Sequence, residues 1–155
     1  MATEAEVKNN LEVILLAAEY CRTLQERGVK RSVYNKTLRE AIHFLWEKRH
    51  TSNKVKAAAY RSVNARGKTF GKREIVYDHA KPYVETMEKI LNADKLDVDI
   101  LRKILEDNII VCIITTEENK RLDSLGLRSV MPEGYDANDP LSRYKAAEII
   151  IERNE

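Results

Sequence analysis

The chain has 155 residues, of which 43% are apolar, 34% charged and 6% aromatic, and its formal net charge is +2. This composition excludes collagen-like, low-complexity and disordered proteins, and the length suits one domain with a sizeable core. The longest uncharged apolar runs, at 13–18 and 109–114, are too short to cross a bilayer, and two cysteines do not make a disulfide framework. The first residues lack the basic and apolar parts of a signal peptide. We therefore expect a cytoplasmic protein with no membrane partner.

The N-terminal part of the chain predicts a helical hairpin followed by a third helix. Thr3 and Glu6 form a capping-box pattern, and apolar residues then recur every 3.6 residues until Gly28, a typical helix stop. A second helical period follows Gly28. The alanine-rich, basic stretch 51–66 favours a third helix by its propensity. We therefore expect a basic helical region over 1–66.

The remaining residues, 67–155, predict a small α+β region, which either forms its own domain or continues the first. A short strand is predicted over 73–77, with a turn from Asp78, and the β-branched run 109–114 is typical of a buried strand. Two helical segments lie between these strands. The segment 149–151 either ends the last helix or adds an edge strand. The predicted fold class is α+β, predominantly helical, with a two-stranded region that carries inserted helices.

Charge is distributed unevenly along the chain. Residues 1–75 hold 16 Lys and Arg against 8 Asp and Glu, whereas 76–155 hold 11 against 17. Within 27–73 there are 14 basic residues and only two acidic ones. A solvated face usually mixes both signs, so this excess indicates contact with a polyanion or with an acidic protein surface.

The basic segment gives the candidate nucleic-acid-binding residues. Lysine and arginine release condensed counterions when they bind the phosphates of a nucleic acid. Of the two nucleic acids, we expect DNA rather than RNA to be the ligand. Tyr60 and Phe70 lie among these cations, where they either stack on bases or pack in the core. The predicted phosphate contacts are Lys56, Arg61, Arg66, Lys68, Lys72 and Arg73.

A different class of function is open at this point. The same basic face would suit a non-enzymatic interaction or inhibitor protein that binds an acidic protein partner. It could also occupy the nucleic-acid-binding site of another protein. The opposite charges of the two halves could instead meet between two copies, which would give a homo-oligomer.

One short motif points to chemistry. The pair Asp78-His79 follows a predicted strand in I-V-Y-D-H-A-K-P, and a second strand leads into a helix with Asn119 in I-I-V-C-I-I-T-T-E-E-N-K-R-L. On these residues, 72–127 resembles the HNH (ββα-metal) nuclease family. The resemblance implies Asp78 and Asn119 as ligands of Mg²⁺ or Mn²⁺, and His79 as the general base that activates water for phosphodiester hydrolysis.

Overall fold

The computed structural model describes residues 1–155 as an α+β fold in which helix predominates, which confirms the predicted class. The helices are α1 (Glu4–Glu26), α2 (Arg31–Ile42), α3 (Lys54–Ala57), α4 (Tyr83–Leu91), α5 (Val98–Asn108), α6 (Thr116–Ser124) and α7 (Ser142–Ala146). The strands are β1 (Tyr60–Ser62), β2 (Ile75–His79), β3 (Val111–Thr115) and β4 (Ile151–Arg153). No helix combines the length and the apolar character that a bilayer crossing requires.

The chain groups into two compact units, each made of two segments. The first unit contains Met1–Ser52 and Thr86–Asp107, and the second contains Asn53–Glu85 and Asn108–Glu155. The chain thus leaves the first unit, returns to it and leaves it again.

The first unit is helical, and its longest helix begins as predicted. The Thr3 hydroxyl accepts a hydrogen bond from the Glu6 amide, and the Glu6 carboxylate accepts one from the Thr3 amide, so the capping box is confirmed. α1 packs against α2, which a π-helical turn, His43–Glu47, extends. Arg22 on α1 donates to the carbonyls of Ile90 and Ala93, at and just beyond the end of α4. These bonds satisfy carbonyls that a helix end otherwise leaves unpaired.

The second unit is built on a four-stranded sheet with the order β2-β3-β1-β4. β2 runs antiparallel to β3, with Asp78 opposite Cys112 and His79 opposite Val111. β1 runs parallel to β3 and antiparallel to the edge strand β4. Residues of β3 are all buried, as the uncharged run predicted.

The sheet corrects the two-stranded prediction. The stretch 51–66 forms only the short helix α3 before it turns into β1, because pairing with β3 and β4 outweighs the helix propensity of its alanines. Of the two alternatives for 149–151, the edge strand is the correct one, with β4 beginning at Ile151. β2 extends to His79, so Asp78 and His79 lie within a strand and not in a turn.

Candidate functional site

The two faces of the sheet are covered by different parts of the second unit. Side chains alternate along β3, as they do in any strand. Ile113 joins a buried cluster with Ala58, Ala65 and Ile75, and we call this side the Ile113 face. On the other side, the Ile114 face, the buried cluster holds Cys112, Ile114, Leu122 on α6, and Tyr144 on α7.

A basic surface lies on the elements that cover the Ile113 face. Val55 of α3 and Phe70 both pack against the cluster of this face, so α3 and the segment 63–73 lie over the same part of the sheet. No Asp or Glu occurs between Glu47 and Glu74. The basic surface consists of four exposed side chains that have no acidic partner: Lys56, Lys68, Lys72 and Arg73.

Lys54 was not among the predicted contacts, but it lies exposed on α3 beside this surface. Arg73 adopts a left-handed backbone conformation with φ of 57°. Its carbonyl accepts a hydrogen bond of 2.7 Å from the Thr116 hydroxyl at the start of α6. This bond fixes the backbone of Arg73 while its guanidinium stays exposed.

The other two predicted contacts, Arg61 and Arg66, are engaged within the unit. The Nε atoms of Arg61 and Arg66 lie 3.0 Å and 2.6 Å from Glu152 Oε1, and Arg66 Nη2 bonds Glu152 Oε2. The hydrogen bonds from the two guanidinium groups lower the pKa of Glu152 to about 2, that from Arg66 being the stronger cause. The sequence analysis did not predict these ion pairs, because Glu152 lies on β4, far along the chain from both arginines.

The two aromatic residues of the basic segment, Tyr60 and Phe70, pack against the core of the second unit. Phe70 packs against the cluster of the Ile113 face, and Tyr60 packs against that of the Ile114 face. The guanidinium carbon of Arg153 lies 5.4 Å from the Tyr60 ring centroid, within the range of a cation–π contact. Base stacking on these rings is therefore not part of the candidate site.

The Asp-His pair is split between the two faces, because neighbouring residues of a strand point to opposite sides. Asp78 Oδ2 accepts a hydrogen bond of 2.7 Å from the Tyr144 hydroxyl, on the Ile114 face. The His79 ring lies 5.9 Å from that of Tyr77 and 5.8 Å from that of Tyr83. Tyr77 packs against the cluster of the Ile113 face, so His79 lies on that side.

Asn119 is half-buried on α6, the helix whose Leu122 packs on the Ile114 face. Helix α6 thus packs on the face that carries Asp78, whereas His79 lies on the opposite face. The structure contains no group of three or more His, Cys, Asp or Glu side chains that could hold a metal ion. Because the Asp78 carboxylate accepts hydrogen bonds from Arg143 and Tyr144, these residues do not fit the Mg²⁺ or Mn²⁺ site that the HNH resemblance implies.

Asp78 instead belongs to a buried polar network with Arg143 and Tyr144. Arg143 is 1% exposed, and its guanidinium donates to the carbonyls of Leu127 (2.9 Å) and His79 (2.8 Å) and to Asp78 Oδ2 (3.2 Å). Burial, and then the Asp78 charge, raise the pKa of the Tyr144 hydroxyl well above its usual value, so it remains a donor. The same two causes raise the pKa of the Cys112 thiol to about 12. The network joins β2 to α7, and its groups satisfy one another.

Comparison of the chain with protein-family models, curated proteins and solved structures gave no match.

Proposed function

We propose that the chain binds nucleic acid through the basic surface of its second unit. The observation that supports this is the exposure of Lys56, Lys68, Lys72 and Arg73 on elements that cover one face of the sheet, in a segment without any acidic residue. Four cations that lack a partner within the protein are free to contact backbone phosphates. DNA is the ligand that we test first.

The mode of binding follows from what the surface offers. It presents positive charge but no exposed aromatic platform, because Tyr60 and Phe70 pack into the core. Contacts of this kind position the nucleic-acid backbone and carry no sequence information. We therefore expect binding that depends strongly on salt and weakly on sequence. Metal-dependent hydrolysis is not part of the proposal, since Asp78 is held by Arg143 and Tyr144.

The test measures fluorescence anisotropy of labelled duplex DNA, single-stranded DNA and RNA with the full chain at several salt concentrations. For duplex DNA, four phosphate contacts give a slope of log affinity against log salt of about −3.6. A variant with alanine at Lys56, Lys68, Lys72 and Arg73 should lose most of the affinity and flatten this slope. The matched control removes the same charge from four exposed lysines elsewhere, with alanine at Lys8, Lys95, Lys103 and Lys120.

Three results would contradict the proposal. The first is an affinity that does not change with salt, and the second is an equal loss in both quadruple variants, which would reflect net charge alone. The third is equal competition by poly-glutamate, which would favour an acidic protein partner. Incubation of plasmid DNA with Mg²⁺, Mn²⁺ or EDTA is the parallel check on hydrolysis, and we expect no cutting that depends on metal.

A further inference from the structure

Helix α1 carries a second apolar stripe, separate from the face that packs in the first unit. Its buried face consists of Val7, Leu11, Ile14, Ala18 and Cys21. On the other side, Val13, Leu16 and Tyr20 are 43%, 65% and 50% exposed. Residues three, four and seven positions apart share one side of a helix, so these three form a continuous stripe. Single exposed apolar residues are ordinary, but a continuous stripe of this kind indicates an interaction surface.

A row of glutamates runs along one flank of this stripe. Glu12, Glu19 and Glu26 recur every seven residues, and all three are exposed without an ion-pair partner. Lys8 lies one turn before Glu12 on the same flank, so the row carries three negative charges against one positive charge. Apolar residues beside a charged row with a seven-residue repeat are the pattern with which one helix recognises another.

We propose that this stripe docks an amphipathic α-helix of a partner protein, one that carries a row of Lys or Arg beside its own apolar stripe. The charge complementarity of the glutamate row selects this occupant. A second copy of α1 would not supply such a row. The flank of α1 on the other side of the stripe holds the uncharged residues Asn10, Ala17 and Leu24. In a pair of α1 helices, the glutamate row of one copy would therefore face either the glutamate row or this uncharged flank of the other copy, and not a row of cations.

The probe is a labelled synthetic helical peptide of about three heptads, with leucine along one stripe and lysine in the flanking row. Its matched control has glutamate in place of each lysine. Binding to the full chain is measured by fluorescence anisotropy, and the mass of the chain by light scattering. The double variant Leu16→Ser, Tyr20→Ser tests the stripe. Its control, Val33→Ser with Phe44→Ser, removes two other exposed apolar side chains, which are 62% and 59% exposed.

We expect the lysine peptide to bind and the glutamate peptide not to bind. The Leu16→Ser, Tyr20→Ser variant should lose at least about tenfold in affinity, as central apolar residues of an interface do, while the control variant binds like the parent. The triple variant Glu12→Lys, Glu19→Lys, Glu26→Lys should reverse the preference, so that the glutamate peptide binds. The two serine variants lie in the first unit, keep the net charge and should keep the nucleic-acid binding proposed above, which separates the two proposals.

The inference is overturned if neither peptide binds, or if both bind equally well. It is also overturned if the stripe variant binds as the parent does. A dimer in light scattering that the Leu16→Ser, Tyr20→Ser variant converts to a monomer would show that a second copy covers the stripe. Circular dichroism of each variant confirms that the helices are intact, which is expected because the replaced side chains are exposed.

Discussion

Replacing Asp78 with alanine separates a structural role of this residue from a role as a metal ligand. In the structure, the change leaves the Arg143 guanidinium, 1% exposed, without its counter-ion and the Tyr144 hydroxyl without its acceptor. Breaking a buried ion pair by removing one partner costs about 3–5 kcal/mol. A change of 1 kcal/mol shifts the melting temperature of a protein of this size by roughly 2–4 °C. We therefore expect Asp78→Ala to melt about 6–20 °C below the parent chain.

Two further variants locate this cost in the network. Tyr144→Phe removes one hydrogen bond to a charged acceptor and should cost about 1.5–3 kcal/mol. Combining Asp78→Ala with Arg143→Met removes both charges, so the double variant should be more stable than the sum of the single variants predicts. The free energy of unfolding is measured by urea titration followed by circular dichroism.

The opposite result would refute this reasoning. If Asp78 served only as a metal ligand, it would contribute little to the stability of the metal-free chain. Asp78→Ala would then leave the free energy of unfolding within about 0.5 kcal/mol of the parent. A metal site would also show itself through binding, because Mn²⁺ would raise the melting temperature of the parent and not that of the variant. Either observation would return Asp78 to the role that the HNH resemblance implies.

The remaining predictions concern Glu152 and the two thiols. Glu152→Gln should release Arg61 and Arg66, so that both can contact phosphates. Binding to duplex DNA in the anisotropy assay should then be stronger, and the slope of log affinity against log salt should be steeper by up to about 1.8. An unchanged slope would contradict this prediction. Because the pKa of Glu152 falls from 4.5 to about 2 on folding, its contribution to stability is complete above pH 4.5 and is lost as the pH falls towards 2. Between pH 5 and pH 3 the urea midpoint of Glu152→Gln should thus drop less than that of the parent, and equal drops would refute the assignment. Cys21 and Cys112 are buried and burial raises the pKa of both thiols, so a disulfide reagent at pH 8 should modify neither in the folded chain and both in guanidinium.

The helix starts could be read from the sequence because their signals are local. Thr115 and Glu118 repeat the capping-box pattern of Thr3 and Glu6, and both reciprocal hydrogen bonds are present at the start of α6. The β-branched run before Thr115 likewise predicted β3. Strand β1 was missed, because its three residues follow alanines of high helix propensity and their pairing partners lie elsewhere in the chain.

The candidate site could be predicted in part for the same reason. The excess of cations is a property of the segment itself. The structure leaves five of the six predicted side chains exposed, and four of these have no acidic partner. The engagement of Arg61 and Arg66 by Glu152 depends on the strand order, which the sequence does not display. The separation of Asp78 from His79 was accessible in principle, since extending the predicted strand by two residues already places them on opposite faces.

The pairing of β1 with β4 has a consequence for the chain while it is being made. Arg61 and Glu152 lie 91 positions apart, and β4 is the last of the four strands to be synthesised. Until β4 emerges from the ribosome, β1 has an open edge and Arg61 and Arg66 have no counter-ion. Before β4 is made, the nascent chain therefore has two more unpaired cations than the folded protein, and the synthesis of β4 both covers this edge and neutralises it.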